Sequence, residues 1–70
     1  MTLYNYTVKD ESKDAIVESG VGELFDLETV IPIEILSILE LYEDEEGVIT
    51  IKVRAGDFSY DINKIRSISA

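Results

Sequence analysis

The chain has 70 residues, 46% of them apolar, and carries 15 acids against 6 bases for a net charge of −9. It contains no cysteine and no histidine, which excludes disulfides, thiolate metal sites and imidazole-ligated zinc, and removes the commonest general base and the strongest nucleophile. A single domain of this size buries only about 60% of the surface its unfolded chain exposes, so close packing or self-association has to supply its stability.

Residues 3–9, LYNYTVK, alternate Tyr4, Tyr6 and Val8 with Leu3, Asn5, Thr7 and Lys9. Period two with aromatic and β-branched residues predicts a strand, with the tyrosines in the sheet core. Residues 10–14 read as a polar turn, and residues 15–19, AIVES, as a second strand forming a hairpin with the first. Gly20 and Gly22 then suggest a bulge or a turn. Residues 23–27 read as extended, with one helical turn as the competing conformation.

Pro32 opens a helix at its first position, where a missing N–H goes unused. Ile35, Leu36, Leu39 and Tyr42 make a broad apolar face, and Glu34, Ser37, Glu40 and Asp44 a polar stripe. The helix is expected to end near Glu46, with Gly47 closing it at positive φ. Residues 48–54 and 57–62 alternate strictly. A two-residue loop at Ala55-Gly56 would pair Arg54 with Asp57, Val53 with Phe58, Ile51 with Tyr60 and Ile49 with Ile62, sorting the apolar side chains to one face. The spacing from Ile62 to Ile65 breaks the alternation and predicts a bulge or bend near Asn63-Lys64.

The expected fold is α+β, a single domain over residues 1–70: an antiparallel sheet of about four strands with one helix on one face, in the order β-β-α-β-β. The helix has more apolar surface than one sheet face needs, which leaves a homodimer open. No stretch approaches the roughly 18 apolar residues of a membrane helix. The N-terminus lacks the charged and apolar regions of a signal peptide, so the expected compartment is the cytoplasm.

Charge is distributed unevenly. Residues 10–46 hold 13 acids and only Lys13, a local −12, whereas residues 47–70 set Asp57 and Asp61 against Lys52, Arg54, Lys64 and Arg66 for +2. Such a chain repels nucleic acid and anionic membranes and attracts basic surfaces. The densest acids, Glu43-Asp44-Glu45-Glu46, fall at the C-terminal end of the expected helix. Carboxylates there oppose the helix dipole by about 0.3–1 kcal/mol each and repel one another. One explanation is solubility. The other is recognition: carboxylates four apart on a helix, such as Glu40 and Asp44, stand about 5–6 Å apart at Cβ and imitate the phosphates of nucleic acid. The candidate contact residues are Glu28, Glu40, Glu43, Asp44, Glu45 and Glu46. The acid block lacks the alternation and central glycine of a calcium loop, and the GVG at residues 20–22 lacks the rest of any nucleotide motif. Neither cofactor nor catalysis is expected.

Glu28-Thr29-Val30, followed by Pro32 and an acid-rich helix, resembles the Glu-Ser-Ile stretch that precedes a proline in phage uracil-DNA glycosylase inhibitors. The resemblance implies that Glu28 and Thr29 contact an enzyme's DNA-binding surface. It also points to the wider class of small acidic phage inhibitors, which includes anti-CRISPR and anti-restriction proteins. The expected function is inhibition of a nuclease, glycosylase or CRISPR effector by charge mimicry. The alternative is a non-catalytic interaction module or homodimeric subunit that uses the apolar helix face.

Overall fold

In the computed structural model, which describes residues 2–43 and 49–65, the first alternating segment is strand β1 (Leu3–Asp10). Tyr4 and Val8 are buried and Asn5 is exposed, as period two requires. Asp10 organises the turn that follows. Its Oδ1 accepts hydrogen bonds from the Ser12 N–H at 3.0 Å and the Ser12 hydroxyl at 2.6 Å, a local closure typical of aspartate in turns. Strand β2 (Ala15–Gly22) returns antiparallel to β1 and is longer than residues 15–19. Gly20 and Gly22 are paired strand residues, opposite Tyr6 and Tyr4, rather than a bulge or turn. The irregularity lies earlier: Val8 faces Glu18 and Lys9 faces Ile16, so Val17 is the extra residue. The glycines are there for space. A Cβ at Gly20 would stand 2.8 Å from the Tyr6 hydroxyl, and one at Gly22 2.8 Å from the Asp26 Cβ.

Residues 24–27 are not extended. They form a single helical turn, α1 (Leu24–Leu27). Leu24 and Leu27, three apart, share a side in a helix but not in a strand. Leu27 is fully buried and Leu24 packs against the same core, while Phe25 is left exposed. The Asp26 carboxylate accepts the Glu23 N–H at 3.0 Å and so fixes the start of the turn. Helix α2 (Ile33–Leu41) begins one residue later than expected, with Pro32 as its cap. It also ends earlier, at Leu41 rather than near Glu46, with Tyr42 as the closing residue. Its last turn tightens, the Tyr42 N–H bonding to the Leu39 carbonyl at 3.1 Å. Gly47, the expected terminator, lies outside the described residues.

Strands β3 (Thr50–Ala55) and β4 (Phe58–Ile65) form the second hairpin. Their register differs by two residues from the one expected. Ala55 faces Phe58, Val53 faces Tyr60, Ile51 faces Ile62, and the opposite charges that meet are Lys52 and Asp61. The loop is Gly56-Asp57, with Gly56 at φ 63°. Tight hairpin turns need positive φ at their first central residue, which glycine adopts freely and alanine does not. The loop therefore forms on Gly56 and not on Ala55. β4 also pairs with β1 from Leu3–Ile65 to Asp10–Phe58 without a register shift, so the bulge expected near Asn63-Lys64 is not formed. Alternation continues, and Lys64 takes the next core-facing position after Ile62, where it is 5% exposed.

The sheet order is β2-β1-β4-β3. Its covered face gives Tyr4, Val8, Tyr60 and Ile62 to the core, and the helical side gives Leu27, Ile31, Ile35, Leu36 and Leu39. The class and element order are the expected α+β and β-β-α-β-β, with the short α1 added before the main helix.

Candidate functional site

The helical layer runs from Glu23 to Glu43. It contains Glu23, Asp26, Glu28, Glu34, Glu40 and Glu43 and no lysine or arginine. All of these acids except the half-buried Glu23 are exposed. Of the candidate contact residues, Glu28 caps α1, Glu40 stands on the last turn of α2, and Glu43 follows it. Asp44, Glu45 and Glu46 lie outside the described residues. Thr29 is exposed beside Glu28, its hydroxyl 3.5 Å from the Asp26 carbonyl.

A cation does serve the end of α2, and it comes from a distant part of the chain. The Lys64 ammonium donates to the Tyr42 carbonyl at 2.8 Å and to the Glu43 carbonyl at 2.9 Å. These carbonyls have no partner within the helix, and a positive charge there complements the dipole. β4 passes beneath the helix end and delivers the lysine from the core-facing side. The cost assigned to the acids from helix physics alone is thus offset, at least for Glu43, by a buried charge from another element.

The polar stripe expected on α2 is only partly polar. Glu34, Ser37 and Glu40 are exposed, but Ile33 is 65% exposed and Leu41 77%. Six of the nine residues of α2 are isoleucine or leucine, and the sheet covers only Ile35, Leu36 and Leu39. Tyr42, expected on the apolar face, is also exposed, and Phe25 adds a bare ring on the neighbouring turn. The excess of apolar residues is visible in the sequence, but which of them stay uncovered is not.

The other side of the sheet has a different character. Lys52 and Arg54 are exposed on the edge strand β3, as expected of charges that deter strand addition. Lys9 pairs with Asp14 at 2.8 Å and Glu11 at 3.6 Å. Its hydrogen bond to Asp14, and then the charge of that carboxylate, hold the Lys9 ammonium above its ordinary pKa. A depression of about 390 Å³ lies among Lys9, Lys52, Arg54, Ser59 and Asp61. Three bases and one acid line it, so its charge leans positive, and Ile16, Val53 and Tyr60 give it an apolar part.

Among the described residues there is no group of three or more acids able to hold a metal ion, and no helix is long and apolar enough to cross a membrane. Comparison with protein-family models, with curated proteins and with solved structures gave no match.

Proposed function

We propose that the protein is a non-catalytic inhibitor that lays its acidic helical layer into the basic groove of a nucleic-acid-binding enzyme. The partner is a nuclease, a glycosylase or a CRISPR effector in the cytoplasm of a phage-infected cell. Occupying the groove excludes the enzyme's DNA or RNA. One observation carries this reading: six acids and no base between Glu23 and Glu43, five of those acids exposed. Such a surface steers toward lysine- and arginine-lined clefts and away from nucleic acid itself. The acids beyond Glu43 extend the same charge along the sequence.

A second reading has its own observation. The bare Ile33, Leu41 and Phe25 suit an interaction module or a homodimer held together by apolar contact. Salt separates the two. Charge mimicry loses affinity steeply as salt rises, whereas an apolar interface hardly responds. The test is capture from a bacterial lysate at low salt, followed by competition between the protein and labelled DNA or RNA for the recovered enzyme. The expected result is displacement of the nucleic acid by the natural chain. A chain with Glu40, Glu43, Asp44, Glu45 and Glu46 changed to glutamine should displace it much less. Equal displacement by both chains would overturn the assignment of those carboxylates.

A further inference from the structure

The arrangement of α2 adds a requirement that charge alone does not impose. Ile33, Ser37 and Leu41 are four apart, so they stack along one line of the helix. That line lies opposite Ile35, Leu36 and Leu39, which the sheet buries. Ser37 does not make its centre polar. The hydroxyl donates back to the Ile33 carbonyl at 2.9 Å, as serine does within helices, so the middle of the line is small and needs no outside partner. Glu34 and Glu40 flank it, both exposed. The result is an apolar ridge with a notch at its centre and carboxylates on either side. A helix that is apolar all round is normally covered all round; here half of it is bare.

Charge decides what covers the ridge. A second copy meeting this face about a two-fold axis would set the same patch against itself. Glu34 and Glu40 of one copy would then be brought beside those of the other, with no lysine or arginine between Glu23 and Glu43 to relieve them. We infer that the ridge Ile33–Ser37–Leu41 seats in an apolar groove bordered by lysine or arginine side chains on a different protein. Ile33 and Leu41 act as anchors, and Glu34 and Glu40 pair with the rim. This rests on the reading of the helical layer as the contact surface, and it adds that the partner's groove has an apolar floor. Interfaces of this kind place apolar anchors centrally and charges at the edge.

Two synthetic peptides of equal charge test it by titration calorimetry: an amphipathic Leu/Lys helix, whose leucine stripe is flanked by lysines, and oligolysine. The Leu/Lys peptide should bind at least about tenfold tighter than oligolysine. It should retain measurable binding at about 1 M salt, where the screening length is about 3 Å. Changing Ile33 and Leu41 together to serine should weaken the Leu/Lys peptide by about tenfold or more and leave oligolysine unaffected. Because both side chains are exposed, the variant is expected to fold, and its thermal unfolding confirms that. Equal binding of the two peptides, or an unchanged Leu/Lys affinity in the serine variant, overturns the apolar anchor and leaves charge recognition standing. Changing Glu34 and Glu40 to glutamine probes the other half. Undiminished oligolysine binding there removes Glu34 and Glu40 as the rim contacts, overturns that half of the proposal and leaves the anchor. A dimer of the natural chain in sedimentation, dissolved by the serine changes, would assign the ridge to a second copy and overturn the proposal.

Discussion

Residues of one kind meet opposite fates on the two sides of α2. Leu39 faces the sheet and is 2% exposed, while Leu41, two positions on, faces solvent and is 77% exposed. Neither the residue type nor the helix sets the difference. A sheet of four strands has one covered face, and a helix of nine residues can turn only about half its surface toward it. The inward half therefore does the folding, and the outward half faces solvent.

The comparison breaks most readily at Leu39. Truncation to alanine removes a buried side chain between α2 and the sheet, at a cost of about 2–5 kcal/mol. Domains hold roughly 0.05–0.15 kcal/mol per residue, so this is a large part of the total for so short a chain. Leu39→Ala should lose its cooperative urea transition or move it to much lower urea. A midpoint close to that of the natural chain would mean that the inward side is not the core.

Lys64 seals the inward side at the helix end. Replacing it with methionine keeps an apolar stem under the helix but withdraws the donor from the Tyr42 and Glu43 carbonyls. Leaving such groups without a partner costs about 1–3 kcal/mol. Lys64→Met should therefore lower the urea midpoint, by less than Leu39→Ala, and loosen the end of α2, which amide exchange at Tyr42 and Glu43 would report. An unchanged or raised midpoint would mean that burying the ammonium costs at least as much as its interactions at the helix end return.

Lys64 also shows where reading the sequence stops. Alternation at Phe58, Tyr60 and Ile62 points to Lys64 as the next core-facing residue, but a charge there argues against a straight strand until a helix end is available to receive it. That helix end is 22 residues away in sequence, and no local pattern connects the two. The hairpin register failed for another reason. Apolar sorting rejects a slip of one residue but accepts a slip of two, because period two restores every face. The positive φ at Gly56 decides between the two registers. α1 was hidden because four residues, LFDL, are too few to show a period. Strand identities, the start of α2 and the α+β class were legible because their patterns are long. Of the candidate site, the acidity is a matter of composition, and Glu28, Glu40 and Glu43 are exposed as a contact role would need. The bare ridge was not, because composition reveals the excess of isoleucine and leucine without saying which side the sheet takes.

The first hairpin provides a pH test that does not run through α2. The Asp10 carboxyl lies below its ordinary pKa, chiefly through the Ser12 hydroxyl. The Asp14 carboxyl lies below its own through the Lys9 hydrogen bond and charge. A carboxyl depressed by folding stabilises above its unfolded value, about 3.9, and loses that contribution as pH falls through the lower folded value. Lys9, raised by folding, stabilises below its unfolded value and loses its contribution as pH rises through the higher folded one. Asp14→Asn should therefore lower the urea midpoint at neutral pH, by a small amount because the pair is solvent-exposed. Its gap from the natural chain should close at strongly acid pH and narrow again at strongly alkaline pH. A gap that stays constant across the range would remove the Lys9–Asp14 pair as its cause.

The smallest expected effect on stability carries the most weight for function. Leu41→Ala deletes as many atoms as Leu39→Ala but takes them from solvent-exposed surface. Exposed substitutions of this kind fall within about 0.5 kcal/mol, and alanine's better helix propensity opposes any loss. Equal urea midpoints for Leu41→Ala and the natural chain would establish that the outward side contributes nothing to the isolated fold. A loss near that of Leu39→Ala would show the ridge to be covered already in the free protein. A second copy would then be the cover if the midpoint also rose with protein concentration, since only association links stability to concentration. If neither happens, the leucine at this position has no folding role to explain it, and the ridge is left with recognition as its physical reason.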